Sequence, residues 1–351
     1  AGIVAVLLFL SLTLSSPRTT ACILGCSDTL MPMVLDYMPW VFGCCLFQMC
    51  GAIGLFIVRL DGAPRYAMWC NVIPALLNIV LDYVFIFPLG MGLEGAGIAT
   101  FISCAAGGLM AVAYVTMYAR QLRLIRFKLS AKSLRLTLRN LRYQSRIGIS
   151  ALLGEATMGI LMFMGNVVFM AYMGDDGVGA FSIACYYCPF VFMIGNAIAQ
   201  SVQPIISFNY GLGKHHRVVH TERLAVTCAG VCGLLVTVAF VAFPEQMVAL
   251  FLSGSSHTVD IAVKGFPLFA AAFVFFIFNL TAIGYFQAVE KVWAAIVFAL
   301  LRGLIFMVPC FLLLPEVAGT SGIWLALALS EVLTSMCIIG YYIYSRRTAH
   351  A

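Results

Sequence analysis

Three oxygen-bearing side chains occur at spacings that would bring them together inside an apolar part of the sequence. Asp82 follows Asn78 by four residues, so both lie on one face of a helix. Thr100 lies as far beyond Met91 as Asp82 lies before it, so a helical hairpin that turns near Met91 would place them at similar depth. A carboxylate, an amide carbonyl and a hydroxyl together suit a proton or a hard cation such as Na⁺. The alternative is an aspartate that only hydrogen-bonds across a helix contact.

Three further polar residues lie in apolar stretches of the second half of the sequence. Glu155 lies about 12 Å into its stretch at 1.5 Å per residue, where it could carry a proton or attract a cationic substrate. A buried partner for a polar neighbour is the alternative. Gln200 and Gln203 precede Pro204, and an interrupted helix exposes its carbonyls where it lines a cavity. We predict Glu155, Gln200 and Gln203 as candidate proton-binding or substrate-binding residues.

Arg302 and Glu331 lie near the middle of two consecutive apolar stretches. A charge at mid-bilayer costs roughly 2.5–3.5 kcal/mol on insertion scales, so each of these charges should have a structural partner or a functional role. A structural ion pair between them is the favoured interpretation. In a second interpretation Arg302, which lies near the repeat position of Asn78, replaces a bound cation in the later half of the chain.

The composition limits the class of protein. Of the 351 residues, 63% are hydrophobic and 10% are charged, whereas about 25% are charged in a typical soluble domain. This excludes a soluble cytosolic enzyme, a disordered chain and a nucleic-acid-binding module. The five histidines lie outside the apolar stretches without an acidic partner at a motif spacing. We therefore predict neither an enzyme nor a resident cofactor, and no metal other than a Na⁺ ion at Asp82.

Ten apolar stretches approach the length of about 20 residues that a helix needs to cross a bilayer. Their approximate bounds are 1–16, 33–58, 67–88, 94–118, 147–172, 178–208, 224–243, 262–286, 293–314 and 320–344. Most of the 20 Lys and Arg residues fall at the C-terminus or in the connections 59–66, 119–146, 211–223 and 287–292. These are every second connection, so the positive-inside rule puts them in the cytoplasm together with the C-terminus. We predict an all-α polytopic protein of the cell (plasma or inner) membrane.

The basic segment 119–146 divides the predicted spans into four and six. It has no acidic residue, and its spaced leucines predict an amphipathic helix on the inner leaflet, with a solvated basic loop as the alternative. We therefore predict an N-terminal lobe at 1–118, a cytoplasmic linker at 119–146, a C-terminal lobe at 147–344 and a cytoplasmic tail at 345–351. A weak internal repeat, with Gly97-Ile98 matched by Gly322-Ile323, is typical of transporters built from two related bundles.

Several motifs together resemble a known family. They are Arg59-x-Asp61-Gly62-x-Pro64, Asn78-x-x-x-Asp82, Gly95-Ala-Gly97-Ile98-Ala99-Thr100 and Gln203-Pro-Ile-Ile-Ser-Phe-Asn-Tyr-Gly211. The sequence resembles the multidrug and toxic compound extrusion (MATE) family over essentially its whole length. The residues of these motifs are most similar to those of the bacterial MepA-type or DinF-type branch.

The resemblance implies a specific fold and site. It implies twelve transmembrane helices in two six-helix lobes that open in a V shape, of which ten would be present in this N-terminally truncated chain. The cation site of the family uses an Asp on the first helix with a later Asn, Asp and Thr, and Asn78, Asp82 and Thr100 match the last three. Some branches place an acid in the seventh helix, a position that Glu155 fits.

The resemblance also implies a function. We expect a secondary active transporter: a multidrug efflux antiporter, coupled to Na⁺ or H⁺, that exports organic compounds, chiefly cations, by alternating access. Its partners would be these small molecules and membrane lipid, and it would act as a monomer. The alternative is a flippase for lipids or lipid-linked precursors of the same superfamily, which needs a cationic cavity to hold pyrophosphate, and only Arg302 is available for one. The sequence leaves the drug and the coupling ion open.

Overall fold

The computed structural model describes residues 10–11, 15–23, 31–119, 130–252 and 257–350, and within these ranges the chain forms helices and no strand. Most of the first predicted span, 1–16, and part of the predicted linker, 120–129, lie outside the described residues. The α-helices are α1 (Pro17–Ile23), α2 (Met31–Leu60), α3 (Pro64–Ile86), α4 (Gly92–Ala113), α5 (Ala131–Gly211), α6 (His215–Ala242), α7 (Pro244–Ala249), α8 (His257–Ala270), α9 (Phe273–Ala288), α10 (Val292–Leu300) and α11 (Met307–His350). Two π-helical turns, Tyr114–Tyr118 and Leu301–Ile305, follow α4 and α10.

The two longest helices each continue past the end of a span and into the next one through a glycine. Helix α5 has 81 residues and leaves helical geometry at Gly174, and α11 does the same at Gly319. Both glycines have a positive φ, near 60°, which a residue with a Cβ rarely adopts. Helices α8 and α9 meet at an angle of 44° and together are long and apolar enough for one span. The described residues therefore contain a helix for each predicted span after the first, and the all-α membrane fold is confirmed.

The chain divides into two compact units, Ala1–Arg135 and Leu136–Ala351. The boundary falls inside the segment 119–146. Helix α5 begins at Ala131 and runs without a break to Gly174, so the second part of this basic segment continues directly into the next span. The assignment of the segment to a cytoplasmic linker stays a prediction.

Helices α2 and α4 of the first unit approach one another through small residues. A Cβ added at Gly108 would lie 2.5 Å from the backbone oxygen of Phe47, and one added at Gly54 would lie 2.6 Å from Ala111 Cβ. Phe101 fills the space beside these contacts, with its ring edge-on to Trp40 at a centroid distance of 5.7 Å. Close approach of backbones is the main source of attraction between helices in lipid, where apolar side chains gain little by leaving the membrane.

We expect Gly108→Ala to destabilise the first unit, because the new methyl group meets backbone that cannot rotate away. Overpacking of this kind costs about 1–3 kcal/mol. Gly51→Ala is the matched control, since its Cβ would lie 3.9 Å from Gly108 on the same interface, which is an ordinary contact. The midpoint of thermal unfolding in detergent measures both variants. Equal midpoints would contradict the packing described here.

The motif Arg59-x-Asp61-Gly62-x-Pro64 has a structural role. Asp61 is buried and accepts a hydrogen bond of 3.0 Å from the hydroxyl of Tyr114. Tyr114 begins the π-helical turn after α4, and its ring lies 4.9 Å from that of Tyr66 on α3. The connection between α2 and α3 is thereby fixed to the end of α4.

The second unit has an aromatic core. Phe169 stacks on Phe181 with their centroids 4.6 Å apart, and it meets the edge of Trp324 at 4.8 Å. Trp324 lies directly over Gly265, where an added Cβ would overlap the indole ring. These residues connect both halves of α5 with α8 and α11, so they hold the spans of this unit in a fixed arrangement.

The turn at Gly174 is held by polar contacts with α8. Thr258 donates a 2.6 Å hydrogen bond to Asp176, and His257 Nδ1 lies 3.1 Å from the same carboxylate. The hydrogen bond from Thr258, followed by that from His257, lowers the pKa of Asp176 below its ordinary value of 3.8. A lowered pKa means that the folded state favours the ionised form, so this contribution to stability is present above the ordinary value and is lost as the pH falls below it.

Candidate functional site

Asn78 and Asp82 lie on α3, and Thr100 lies on α4. The packing of the two helices fixes their register: a Cβ at Gly95 would lie 2.9 Å from Phe85 Cβ, and one at Gly107 would lie 2.9 Å from Pro74 Cγ. Between these two contacts the helices run antiparallel, so Thr100 falls at the level of the helical turn that carries Asp82.

The candidate side chains Asn78 and Asp82 each contain a buried atom without a hydrogen-bond partner in the described part of the chain, namely Asn78 Nδ2 and Asp82 Oδ1. Buried polar atoms are nearly always hydrogen-bonded, so neighbouring orphan atoms indicate a missing ligand. The oxygen and nitrogen of an amide are hard to distinguish by position, and a rotated Asn78 would present its carbonyl oxygen instead. Thr100 donates a 2.9 Å bond to Ala96, which leaves its lone pairs free to accept or coordinate. These side chains therefore fit a proton or a small hard cation.

A cavity of about 260 Å³ in the first unit ends one helical turn from this site. It reaches Pro74 on α3, and Asn78 is the next residue on that helical face. Its polar lining comes from Gln48, Asn71 and Ser103. Asn78, Asp82 and Thr100 themselves do not line it.

Glu155 lines a small cavity in the second unit, which we call the Glu155 cavity, of about 70 Å³. Its lining residues are Ser150, Ala151, Gly154, Glu155, Phe192, Asn196, Ala199, Gln203, Leu280, Ile283, Gly284 and Gln287. The structure thus brings two of the predicted residues, Glu155 and Gln203, to one cavity, while Gln200 does not line it.

A chain of hydrogen bonds crosses the Glu155 cavity. Gln203 Nε2 donates to Gln287 Oε1 at 2.9 Å, and Gln287 Nε2 donates to Ser150 Oγ at 3.0 Å. The sequence analysis missed Gln287, because it directly follows an apolar stretch and falls in a predicted connection. It also missed Asn196, although its spacing of seven residues from Gln203 would have placed both on one helical face.

Arg302 and Glu331 form a buried ion pair. Arg302 Nε lies 2.7 Å from Glu331 Oε1, and the two side chains are 1% and 0% exposed. Asn279 donates to the second carboxylate oxygen at 2.7 Å, and Ser335 donates to Asn279 Oδ1 at 2.8 Å. The sequence analysis missed Asn279 and Ser335, although Ser335 follows Glu331 by one helical turn.

The guanidinium of Arg302 is only partly satisfied. Its carbon lies 4.0 Å from the ring centroid of Phe276, a favourable cation–π distance, but Nη1 and Nη2 have no hydrogen-bond partner among the described residues. Arg302 lies in the π-helical turn Leu301–Ile305. The guanidinium of Arg302 therefore balances the charge of Glu331. Without Arg302, a free cation would have to do so.

A family model and several named proteins match this chain. A family model described as MatE matches residues 152–312. The multidrug export protein MepA of Staphylococcus aureus (strain N315) is 25% identical over 354 residues, which cover 99% of this chain and 75% of MepA. MepA of Staphylococcus saprophyticus is 22% identical over the same shares of the two chains.

Solved structures show the same fold. The MATE transporter VcmN of Vibrio cholerae superposes with a TM-score of 0.86 at 18% identity, over 99% of this chain and 77% of VcmN. A MOP superfamily transporter from Pyrococcus furiosus gives a TM-score of 0.85 at 20% identity, over 99% and 76%. The family model, the MepA relatives and the MATE structures together support membership of the MATE family. This supports the family assignment made from the motifs, and the chain is a multi-pass membrane protein.

The MatE family model covers some of the candidate residues and not others. Glu155, Gln203 and Arg302 fall within the matched residues 152–312, whereas Asp82 and Glu331 fall outside. The similarity to MepA extends over 99% of the chain and so includes both sites. The roles of the individual residues stay predictions.

Proposed function

We propose that this MATE protein is a cation-coupled multidrug efflux antiporter that exports organic compounds, chiefly cations. The names of its relatives, multidrug export protein MepA, support multidrug efflux by a transporter rather than an enzyme. The observation that carries the coupling is the buried, unpartnered carboxylate oxygen of Asp82 beside the orphan amide of Asn78 in the described part of the chain.

In this proposal Asp82 binds the coupling ion, which is Na⁺ or H⁺. Thr100 and Asn78 supply the neutral oxygens that a hard cation prefers. Binding of the ion stabilises one of the two states of alternating access, and binding of substrate stabilises the other, so their coupling free energy drives exchange. We further propose that the protein acts as a monomer of the cell membrane, with its C-terminus in the cytoplasm and without a resident cofactor.

The direct test is transport by purified protein in lipid vesicles with an imposed Na⁺ or pH gradient. Ethidium, a fluorescent organic cation, serves as the substrate. We expect one of the two gradients to drive ethidium movement against its own gradient, and an ionophore that collapses the driving gradient to stop it. Transport that neither gradient accelerates would overturn the proposed coupling.

We propose that Glu155 attracts the charge of a cationic substrate. Glu155→Gln is expected to weaken ethidium binding about tenfold, equivalent to about 1.4 kcal/mol, because it removes one charge from a small cavity and keeps its shape. Binding of an uncharged aromatic compound should not change. Glu245→Gln, at an exposed acid of the same unit, is the control, and equal effects of the two substitutions would refute the role of Glu155. Fluorescence titration of ethidium in detergent provides the measurement.

The flippase alternative has less support. A site for pyrophosphate needs accessible positive charge, but Arg302 is buried and bound to Glu331. It does not line the Glu155 cavity. Movement of a fluorescent lipid between leaflets of protein-containing vesicles, stimulated by the same gradient, is the result that would favour this alternative.

A further inference from the structure

The second unit contains a larger cavity that the proposed transport cycle does not use. We call it the Glu222 cavity, and its volume is about 560 Å³. It is lined by Val202, Ile206, Glu222, Arg223, Ala225, Val226, Thr227, Phe278, Thr281, Ala282, Tyr285, Phe286, Ile339 and Tyr342. These residues come from the end of α5, the beginning of α6, the end of α9 and the end of α11. The volume lies within the range of about 300–1,000 Å³ that is usual for sites of drug-sized ligands.

The Glu222 cavity is separate from the Glu155 cavity. Helix α9 lies between the two: Ala282 and Phe286 line the larger cavity, whereas Ile283 and Gln287 line the smaller one. A ligand in one cavity therefore does not occupy the other.

The walls of the Glu222 cavity combine aromatic rings with a single carboxylate. Four of the lining residues are aromatic: Phe278, Tyr285, Phe286 and Tyr342. The hydroxyl of Tyr342 donates a 2.8 Å hydrogen bond to Glu222 Oε2, which holds the carboxylate at the wall. Ring faces and a carboxylate both attract a cation, and the attraction is strongest where water is excluded. The chemistry matches an aromatic organic cation.

The mouth of this cavity lies at the surface of the unit. Val226 on α6 and Ile339 on α11 line it and are exposed. Glu222 lies two helical turns from the beginning of α6 at His215, so the carboxylate is near one end of the span and apolar surface extends beyond it. An amphipathic cation in a leaflet has the same arrangement, with its charge at the headgroups and its rings in the acyl region. Arg223 is exposed, and its long side chain can extend to water.

We propose that the Glu222 cavity is a second binding site of this protein, for aromatic amphipathic cations that enter from the membrane. The biological role of this site rests on the proposed function, because the site would collect substrate before transport. Its binding step does not depend on any ion gradient. A lipid acyl chain is the competing occupant, and it would need the apolar wall but not the carboxylate.

The test is equilibrium binding of tetraphenylphosphonium to the purified chain in detergent, without a gradient, compared with the neutral triphenylphosphine oxide. Glu222→Gln keeps the acceptor for Tyr342 and removes the charge. We expect it to weaken binding of the cation at one site about tenfold and to leave binding of the neutral compound unchanged. Unchanged binding of the cation, or an equal loss for both compounds, would overturn the proposal and favour the acyl chain.

A pair of substitutions on α6 tests the location. Val226→Trp is expected to fill the mouth and remove binding of both compounds at this site. Leu224→Trp is the control, because Leu224 is exposed on the same helix and does not line the cavity. Loss of binding in the control variant, or none in Val226→Trp, would show that the ligand lies elsewhere. Failure of gradient-driven transport in vesicles would contradict the antiporter and leave these binding results standing.

Discussion

Replacing Asp82 with Asn is expected to abolish gradient-driven efflux of ethidium while the protein still folds. The substitution keeps the shape of the side chain and removes its charge, so the site loses its main attraction for Na⁺ or a proton. Because Asp82 Oδ1 has no hydrogen-bond partner in the described part of the chain, no structural contact of that oxygen is lost. Antiport requires that the ion and the substrate bias the same equilibrium in opposite directions, and the neutral amide of the variant would no longer respond to the ion.

The matched control for Asp82→Asn is Glu94→Gln, which neutralises an exposed acid near the beginning of α4 in the same hairpin. It should transport normally. Undiminished efflux by Asp82→Asn would refute the assignment. Thermal unfolding supplies a second readout, because a ligand at one hundred times its Kd stabilises the folded state by about 2.7 kcal/mol. The coupling ion should therefore raise the Tm of the unsubstituted protein and of Glu94→Gln, but not that of Asp82→Asn.

Replacing Arg302 with Met is expected to give the largest loss of stability of any substitution considered for this protein. Glu331 is fully buried, and removal of its partner would leave a carboxylate in a medium of low polarity. Breaking a buried ion pair from one side costs about 3–5 kcal/mol. The expected result is a marked fall in the Tm measured in detergent, or loss of folded protein during purification.

The double variant Arg302→Met with Glu331→Gln distinguishes a lost charge partner from lost packing. A glutamine retains an acceptor for the 2.7 Å hydrogen bond from Asn279 and carries no charge, so the double variant should recover most of the stability. Replacement of both charges by neutral groups is often tolerated in protein interiors. A double variant as unstable as Arg302→Met alone would show that the volume of Arg302 against Phe276, rather than its charge, stabilises the unit.

The two units differ in how the charge of a buried carboxylate is balanced within the described residues, and this difference relates the two predictions. In the first unit the carboxylate of Asp82 has a buried oxygen that the described chain leaves unpartnered, so the charge can be balanced by an exchangeable ion. In the second unit the guanidinium of Arg302 is held 2.7 Å from Glu331. A tethered cation cannot dissociate, so we expect only the first of these sites to respond to the ion concentration.

The sequence alone predicted the spans, the family and the polar side chains that lie within apolar stretches. The lengths of the apolar stretches are sufficient to predict the spans, because lipid offers no hydrogen bonds and each span must satisfy its own backbone as a helix. The family was predicted separately, from the resemblance of the motifs. The prediction that Thr100 lies near the level of Asp82 rested on a short hairpin, where the chain itself limits the geometry. The sequence analysis placed connections at Gly174 and Gly319, and the structure leaves helical geometry at both glycines.

Only the tertiary structure decided which distant side chains meet. Gln203 bonds to Gln287 across 84 positions, and Glu222 bonds to Tyr342 across 120. Local periodicity shows which face of a helix is polar, but it does not show which other helix that face contacts. That choice depends on close packing, as where Trp324 covers Gly265, and packing is a property of whole surfaces rather than of any short run of residues. For this reason the Glu222 cavity, with walls from four helices, had no counterpart in the sequence analysis.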